Sequence, residues 1–140
     1  MADRFLDVEI ITPQKLLYSG KAVSVLVPGG LAPFQILYNH APIISTLEMG
    51  IIKIGDENGK MRFFASTEGF VEVRTNKVSI LVESADDAAT LDISEVSASL
   101  IILKDKLKNT DNSMEIPGIK RLIAIEENRY KAYQNQSNSG

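Results

Sequence analysis

Between Phe5 and Glu83 the apolar residues recur mostly at every second position, in short runs rich in Val, Ile and Phe. A strand points successive side chains to opposite faces, so this period predicts strands with one buried face. Leu6, Val8 and Ile10 alternate with Asp7 and Glu9, and Val23, Val25 and Val27 alternate with Ala22, Ser24 and Leu26. Both runs are expected to bury the face that carries Leu6, Val8 and Ile10 in one and the three valines in the other. Further strand signals lie at Ile43-Ile44, Ile52 and Ile54, Phe63-Phe64, Val71 and Val73, and Val78, Ile80 and Val82. The breaks fall at Pro28-Gly29-Gly30, Asn58-Gly59 and Thr75-Asn76-Lys77. Asn58-Gly59 predicts a hairpin whose turn needs positive φ, a conformation Asn and Gly tolerate at low cost. So many short strands at close spacing predict an all-β sandwich or flattened barrel.

After Asp86 the period changes. Leu91-Asp92-Ile93-Ser94 precedes a stretch, Val96 to Lys108, without Gly or Pro, in which Val96, Leu100, Leu103 and Leu107 follow a 3-4 spacing. A helix is predicted there, capped by Asp92 or Ser94, with Lys104, Lys106 and Lys108 near the end where the helix dipole favours cations. Pro117-Gly118 closes a polar break from Asn109. A second amphipathic helix is predicted from Ile119 to about Gln134, its stripe made of Ile119, Leu122, Ile123, Glu126 and Tyr130, followed by a polar tail from Asn135. The chain therefore divides into a β-domain, residues 1–86, and an antiparallel two-helix hairpin, residues 87–140.

Composition narrows the function more than the fold. The formal net charge of -3 argues against a sequence-independent grip on nucleic acid, which needs a basic face. No apolar run approaches the ~20 residues needed to cross a bilayer, and Met1-Ala2-Asp3-Arg4 lacks a signal-like apolar stretch, so a cytosolic chain with no membrane span is expected. Without cysteine, and with His40 as the only histidine, thiolate and multi-histidine metal sites are excluded.

Candidate chemistry is correspondingly thin. His40 lies in the turn-like stretch Leu37-Tyr38-Asn39-His40-Ala41-Pro42, where a lone imidazole is expected to bond to neighbouring backbone or meet a partner rather than catalyse. Gly29-Gly30 follows a strand, but no helix and no Gly-Lys-Ser/Thr follow it, so it is a turn and not a phosphate cradle. Asp86, Asp87 and Asp92 lack the glycine turn and terminal Glu of a calcium loop and suit a helix start. The residues alone thus predict a binding module without a catalytic or metal site. Its hairpin either packs permanently on the β-domain or lays its stripe into a partner's groove.

The succession of segments resembles the ε subunit of bacterial F-type ATP synthases, called δ in mitochondria. The matching pieces are Leu6-Asp7-Val8-Glu9-Ile10-Ile11-Thr12-Pro13, Val27-Pro28-Gly29-Gly30, Asn39-His40-Ala41-Pro42-Ile43 with Gly50 downstream, Gly69-Phe70-Val71-Glu72-Val73, Lys77-Val78-Ser79-Ile80-Leu81-Val82, and Leu91-Asp92 opening the helices. The resemblance implies a flattened sandwich of about ten strands followed by two antiparallel helices. It implies a non-catalytic rotor subunit on the cytoplasmic face of the bacterial inner membrane, binding the γ subunit through one face of the sandwich. The loop bearing Leu31, Pro33, Phe34, Tyr38 and His40 would lie toward the c-ring. The hairpin, through Val96, Leu100, Leu103, Leu122 and Ile123, would pack on the sandwich or extend into the α/β catalytic head and obstruct hydrolysis. The competing expectation is a free-standing sandwich adaptor whose hairpin recruits another protein.

Two departures from the family pattern carry expectations of their own. Pro33 stands where relatives commonly have an acid and Gln35 where they have glycine, so the contact made by this loop should be more apolar. Some relatives bind ATP through a hydrophobic-Asp-x-x-Arg-Ala motif and arginines of the second helix. Here the motif reads Leu91-Asp92-Ile93-Ser94-Glu95-Val96, with Asp92, Arg121 and Arg129 as the remaining candidates. An acid at the arginine position repels phosphate, so no cofactor and no ATP site are expected.

Overall fold

A computed structural model describes residues 4–139. The strands are β1 (Leu6–Ile11), β2 (Leu16–Val27), β3 (Phe34–Leu37), β4 (Ile43–Leu47), β5 (Gly50–Asp56), β6 (Met61–Ser66), β7 (Gly69–Arg74), β8 (Lys77–Val82) and β9 (Ala85–Asp87). A 3-10 turn, Ala88–Thr90, leads to helices α1 (Ile93–Asn109) and α2 (Ile116–Asn138). The nine strands form one continuous ladder in the order β4-β7-β8-β1-β2-β5-β6-β9, with β3 added beside β2. β1 and β8 pair in parallel, while every other pairing is antiparallel.

β2 turns this ladder into a sandwich. Its first half, Leu16 to Ala22, pairs with β1, and its second half pairs with β5 on one side and β3 on the other. One strand thus belongs to both layers, and the alternating inner faces of the two layers meet as a core. Leu6, Val8, Ile10, Val71, Val73, Val78, Ile80 and Val82 come from one layer; Val25, Val27, Ile36, Ile52, Ile54 and Phe64 come from the other. Each such side chain taken fully out of water contributes about 1.5–3 kcal/mol.

Local departures from strict alternation have identifiable causes. Val23 is exposed and Ala22 is buried, because the register with β5 shifts between Ala22 and Ser24. This irregularity lets two neighbouring residues oppose one, so the alternation changes phase there and the expected Val23 face turns outward. At the β5–β6 hairpin only Gly59 has positive φ, 81°. The Asp56 carboxylate accepts from the Asn58 and Lys60 backbone N–H groups, which closes a longer loop than a two-residue turn. The two-residue turn with both residues at positive φ is instead Thr75-Asn76, between the paired Arg74 and Lys77.

The helices form a hairpin on the outside of the second layer. α2 lies on β6 and the 3-10 turn, whereas α1 packs on α2 and makes no comparable contact with a strand. Under α2 a second apolar cluster, separate from the sandwich core, gathers Phe63, Ala65, Ala88 and Ala132, with Ile51, Met61 and Leu91 at its edge. Three of its four buried members are alanines, so the hairpin buries far less apolar surface on the sandwich than the two sheet layers bury on each other.

Candidate interaction surfaces and the helical hairpin

The helix caps follow directly from local chemistry. Asp92 is the N-cap of α1: its carboxylate accepts from the Ser94 and Glu95 backbone N–H groups and from the Ser94 hydroxyl. The Ser94 hydroxyl, followed by those two N–H groups, holds the Asp92 carboxyl below the usual carboxylate range. Lys106 and Lys108 lie in the last turn of α1. α2 starts earlier than the pattern predicts, with Pro117 in its first turn, where its missing N–H costs nothing.

α2 also ends later. The expected polar tail is helical to Asn138, and Gln136 docks on β6. A helix with few apolar residues near its end reads as a tail until the strand edge it bonds to is known.

The structure buries some side chains of the expected hairpin stripe and leaves others exposed. Val96 and Ile123 are buried, and Leu100 and Leu103 are half-buried. Leu122 is 50% exposed and stands apart from the buried face, because Ile119, Ile123 and Glu126 define that face and Leu122 lies on its flank. Glu126 is buried at 7% exposure, with its carboxylate bonded to Arg129. Arg129 also donates from Nε to Asp86 of β9 at 2.7 Å. Burial works against the Arg129 charge, but the bonds to Asp86 and Glu126 outweigh it and raise the guanidinium's pKa.

The three nucleotide candidates are not assembled for phosphate. Asp92 and Arg129 border one cleft of about 350 Å³, whereas Arg121 points elsewhere and grips Glu68 with two bonds of 2.9 Å. The cleft is lined by Asp86, Asp92, Glu95 and Glu126 against the single cation Arg129. Internal carboxylates therefore already occupy that guanidinium. Asp87 caps the 3-10 turn through Ala89 and pairs with Arg62 at 2.8 Å.

The stretch Leu31 to His40 becomes two loops on either side of β3. Leu31 and Pro33 are exposed in the β2–β3 loop, which is tied to β4 by Gly30 N–H to the Thr46 carbonyl and by Glu48 N–H to the Pro28 carbonyl. Gly29 is required here, since a Cβ would lie 2.5 Å from the Ala32 carbonyl oxygen. Tyr38 and His40 lie in the β3–β4 loop, where the His40 Nδ1 donates to the Ala41 carbonyl at 2.7 Å. That loop is fastened to the β7–β8 turn by the Asn39 N–H bond to the Asn76 side chain. Phe34 is half-buried, and its ring meets the His40 ring at 6.4 Å.

Three of the matching strand motifs also contribute residues to an apolar surface on the sandwich. On the outside of the first layer, Ile11 pairs with Leu81, Leu81 with Phe70, and Phe70 with Thr46, with Ile44 in the next row. Phe70, Leu81 and Ile44 are 56%, 46% and 72% exposed. Ile11, Pro13, Phe70 and Leu81 border a shallow depression of about 380 Å³. The signal was present in the outward positions of the strands: Phe70 and Leu81 are apolar where a solvated face calls for polar residues.

Residues 5–88 match the family described as ATP synthase, Delta/Epsilon chain, beta-sandwich domain. The chain belongs to the epsilon-subunit family of F-type ATP synthases. It is 36% identical over 112 residues to the ATP synthase epsilon chain of Leptospira interrogans, covering 80% of this chain and 87% of that one. It is 30% identical over 127 residues to the ATP synthase epsilon chain of Staphylococcus saprophyticus, covering 90% and 94%. The fold is shared with a chain of the Euglena gracilis mitochondrial ATP synthase, at TM-score 0.68 and 14% identity over 97% of this chain and 81% of that chain. It is shared also with a chain of the Tetrahymena thermophila mitochondrial ATP synthase central stalk and c-ring assembly, at TM-score 0.52 and 19% identity over 93% and 94%. As a member of the epsilon family the protein is a part of the synthase and not its catalytic subunit. Among the described residues no helix is long and apolar enough to cross a membrane.

Proposed function

We propose that this epsilon chain is a non-catalytic rotor subunit that couples γ to the c-ring. It would act at the cytoplasmic face of the bacterial inner membrane. The observation that carries the reading is the asymmetry of the sandwich. α2 covers the outside of the β5–β6 layer, while the outside of β8, β7 and β4 presents Leu81, Phe70 and Ile44 to solvent, with the half-buried Ile11 of β1 beside them. An exposed apolar row on a rigid sheet suits a permanent protein partner, and γ is the partner expected there. The central-stalk and c-ring assemblies that contain chains of this fold support the assignment. The Leu31–Pro33 loop, apolar and exposed, is the proposed contact to the c-ring.

The hairpin is proposed as a brake on hydrolysis that can leave the sandwich and reach the α/β head; its alanine-rich footing supports a reversible attachment. The same reading takes no ATP at the hairpin, because the cleft beside Arg129 is lined by carboxylates that hold the only guanidinium there. Co-purification tests the rotor assignment. Tagged chain from its native cell should retain γ, and the Phe70→Glu, Leu81→Glu double variant, folded by circular dichroism, should lose it. Retention of γ by that variant would move the interface off this face, and absence of γ from the unmodified preparation would overturn the rotor reading.

A further inference from the structure

Among the described residues, the lower part of β6 has no strand neighbour on one edge. β9 pairs with Phe64, Ala65 and Ser66 but stops short of Met61 and Phe63. An unpaired strand edge inside an interface leaves polar backbone groups that must find partners. Here Gln136 of α2 supplies them. Its Oε1 accepts from the Phe63 N–H at 3.1 Å, and its Nε2 donates to the Met61 carbonyl at 3.1 Å. A side-chain carboxamide has the donor and acceptor of a peptide group, so Gln136 stands in for the missing strand.

Eight residues earlier on α2, the Asn128 Nδ2 donates to the Gly50 carbonyl at 2.8 Å and to the Ser66 carbonyl at 3.4 Å, at the far end of the β5–β6 ladder. Eight residues of helix rise about 12 Å, and the four residues of strand from Ser66 to Arg62 span about 13 Å. α2 therefore runs antiparallel to β6 with its two carboxamides in register with the strand's two ends. Midway lies Ala132, with no exposed surface, whose small side chain lets the helix approach Phe63 and Ala65 closely.

We infer that Asn128 and Gln136 are a paired latch that holds the hairpin on the sandwich, and that opening breaks both ends together. Water takes over both sets of bonds on opening, so each side chain holds the seam by a factor of only about ten and the attachment stays reversible. Phe63, Ala65 and the β6 edge would be uncovered on opening, while the core between the sheet layers stays intact. The latch rests on the hairpin role proposed above, but its test uses the isolated full-length chain. A failed latch thus leaves the rotor assignment standing, and a failed co-purification leaves the latch result standing.

The chain has no cysteine, so the Ala132→Cys variant carries a single thiol under the middle of the seam. Adding Asn128→Ala or Gln136→Ala should each raise the rate of thiol labelling about tenfold, the size expected for one or two lost hydrogen bonds. The exposed control Lys120→Ala should leave it unchanged. In the chain without the thiol, Asn128→Ala should also speed hydrogen exchange at the Phe63 amide, which it does not touch, while amides of the β7–β8 ladder keep their protection. Unchanged thiol labelling, an unmoved Phe63 amide, or equal acceleration throughout β7 and β8 would each overturn the latch.

Discussion

Replacing Arg129 with alanine should loosen the hairpin by leaving two carboxylates without their cation. Arg129 bridges Asp86 of β9 and Glu126 of its own helix, and the Arg129, Asp86 and Glu126 side chains are 30%, 34% and 10% exposed. Exposed ion pairs contribute about 0.2–1 kcal/mol, whereas removing one partner of a fully buried pair costs about 3–5 kcal/mol. This pair lies between those cases. An expected loss of about 2 kcal/mol corresponds to roughly a thirtyfold shift toward the undocked hairpin. The larger part of that cost is the buried Glu126 charge, not the lost attraction. Adding Glu126→Gln to Arg129→Ala should therefore recover about half of the loss, although Glu126→Gln alone should be mildly destabilising. Urea unfolding followed by far-ultraviolet circular dichroism, with hydrogen exchange along α2, measures all three variants as a double-mutant cycle. If Glu126→Gln gives no recovery in the Arg129→Ala background, the account of Arg129 as counter-ion to a buried carboxylate is wrong.

Phe64→Ala should cost about 3–5 kcal/mol in denaturant unfolding, since the ring is 1% exposed in the sandwich core and meets Tyr18 edge-on at 5.4 Å. Thr75→Asn should stabilise the sandwich by about 1 kcal/mol, raising Tm by about 3 °C, because a β-branched residue is held at φ 48°. Asn76 must be kept in that experiment, as its side chain accepts from the Asn39 N–H. Bonds from Arg121, and then from its own backbone, hold the Glu68 carboxyl below its ordinary value. Its folded pKa is depressed, so this contribution is present above the unfolded value near 4.5 and is lost as pH falls through the folded one. Both side chains are about half exposed, so Glu68→Gln should flatten the acid limb of a Tm–pH profile by only about 1 °C, and salt should mask the difference.

The apolar period made the strands legible because each side chain needs only to know which face of its own strand is buried. Leu6, Val8 and Ile10, or Val78, Ile80 and Val82, declare that face without reference to any partner. The caps were legible for the same reason: Asp92 acts on N–H groups two and three residues away. What escaped depended on neighbours distant in the chain. Val23 turned outward because of its register with β5, and Leu122 is exposed because it lies on the flank of the face that Ile119, Ile123 and Glu126 bury. Asn128 read as a solvated helix residue and Gln136 as part of a polar tail until the two ends of β6, more than sixty residues earlier, were placed beneath them. The local pattern thus determined most of the strands, the two helices, the α1 cap and the division into a sandwich and a hairpin, but not β3, β9 or the ends of α2. Tertiary structure alone decided which sheet face the hairpin covers, which stays open, and how the hairpin is fastened. Those choices rest on hydrogen bonds and ion pairs whose partners have no fixed separation along the chain.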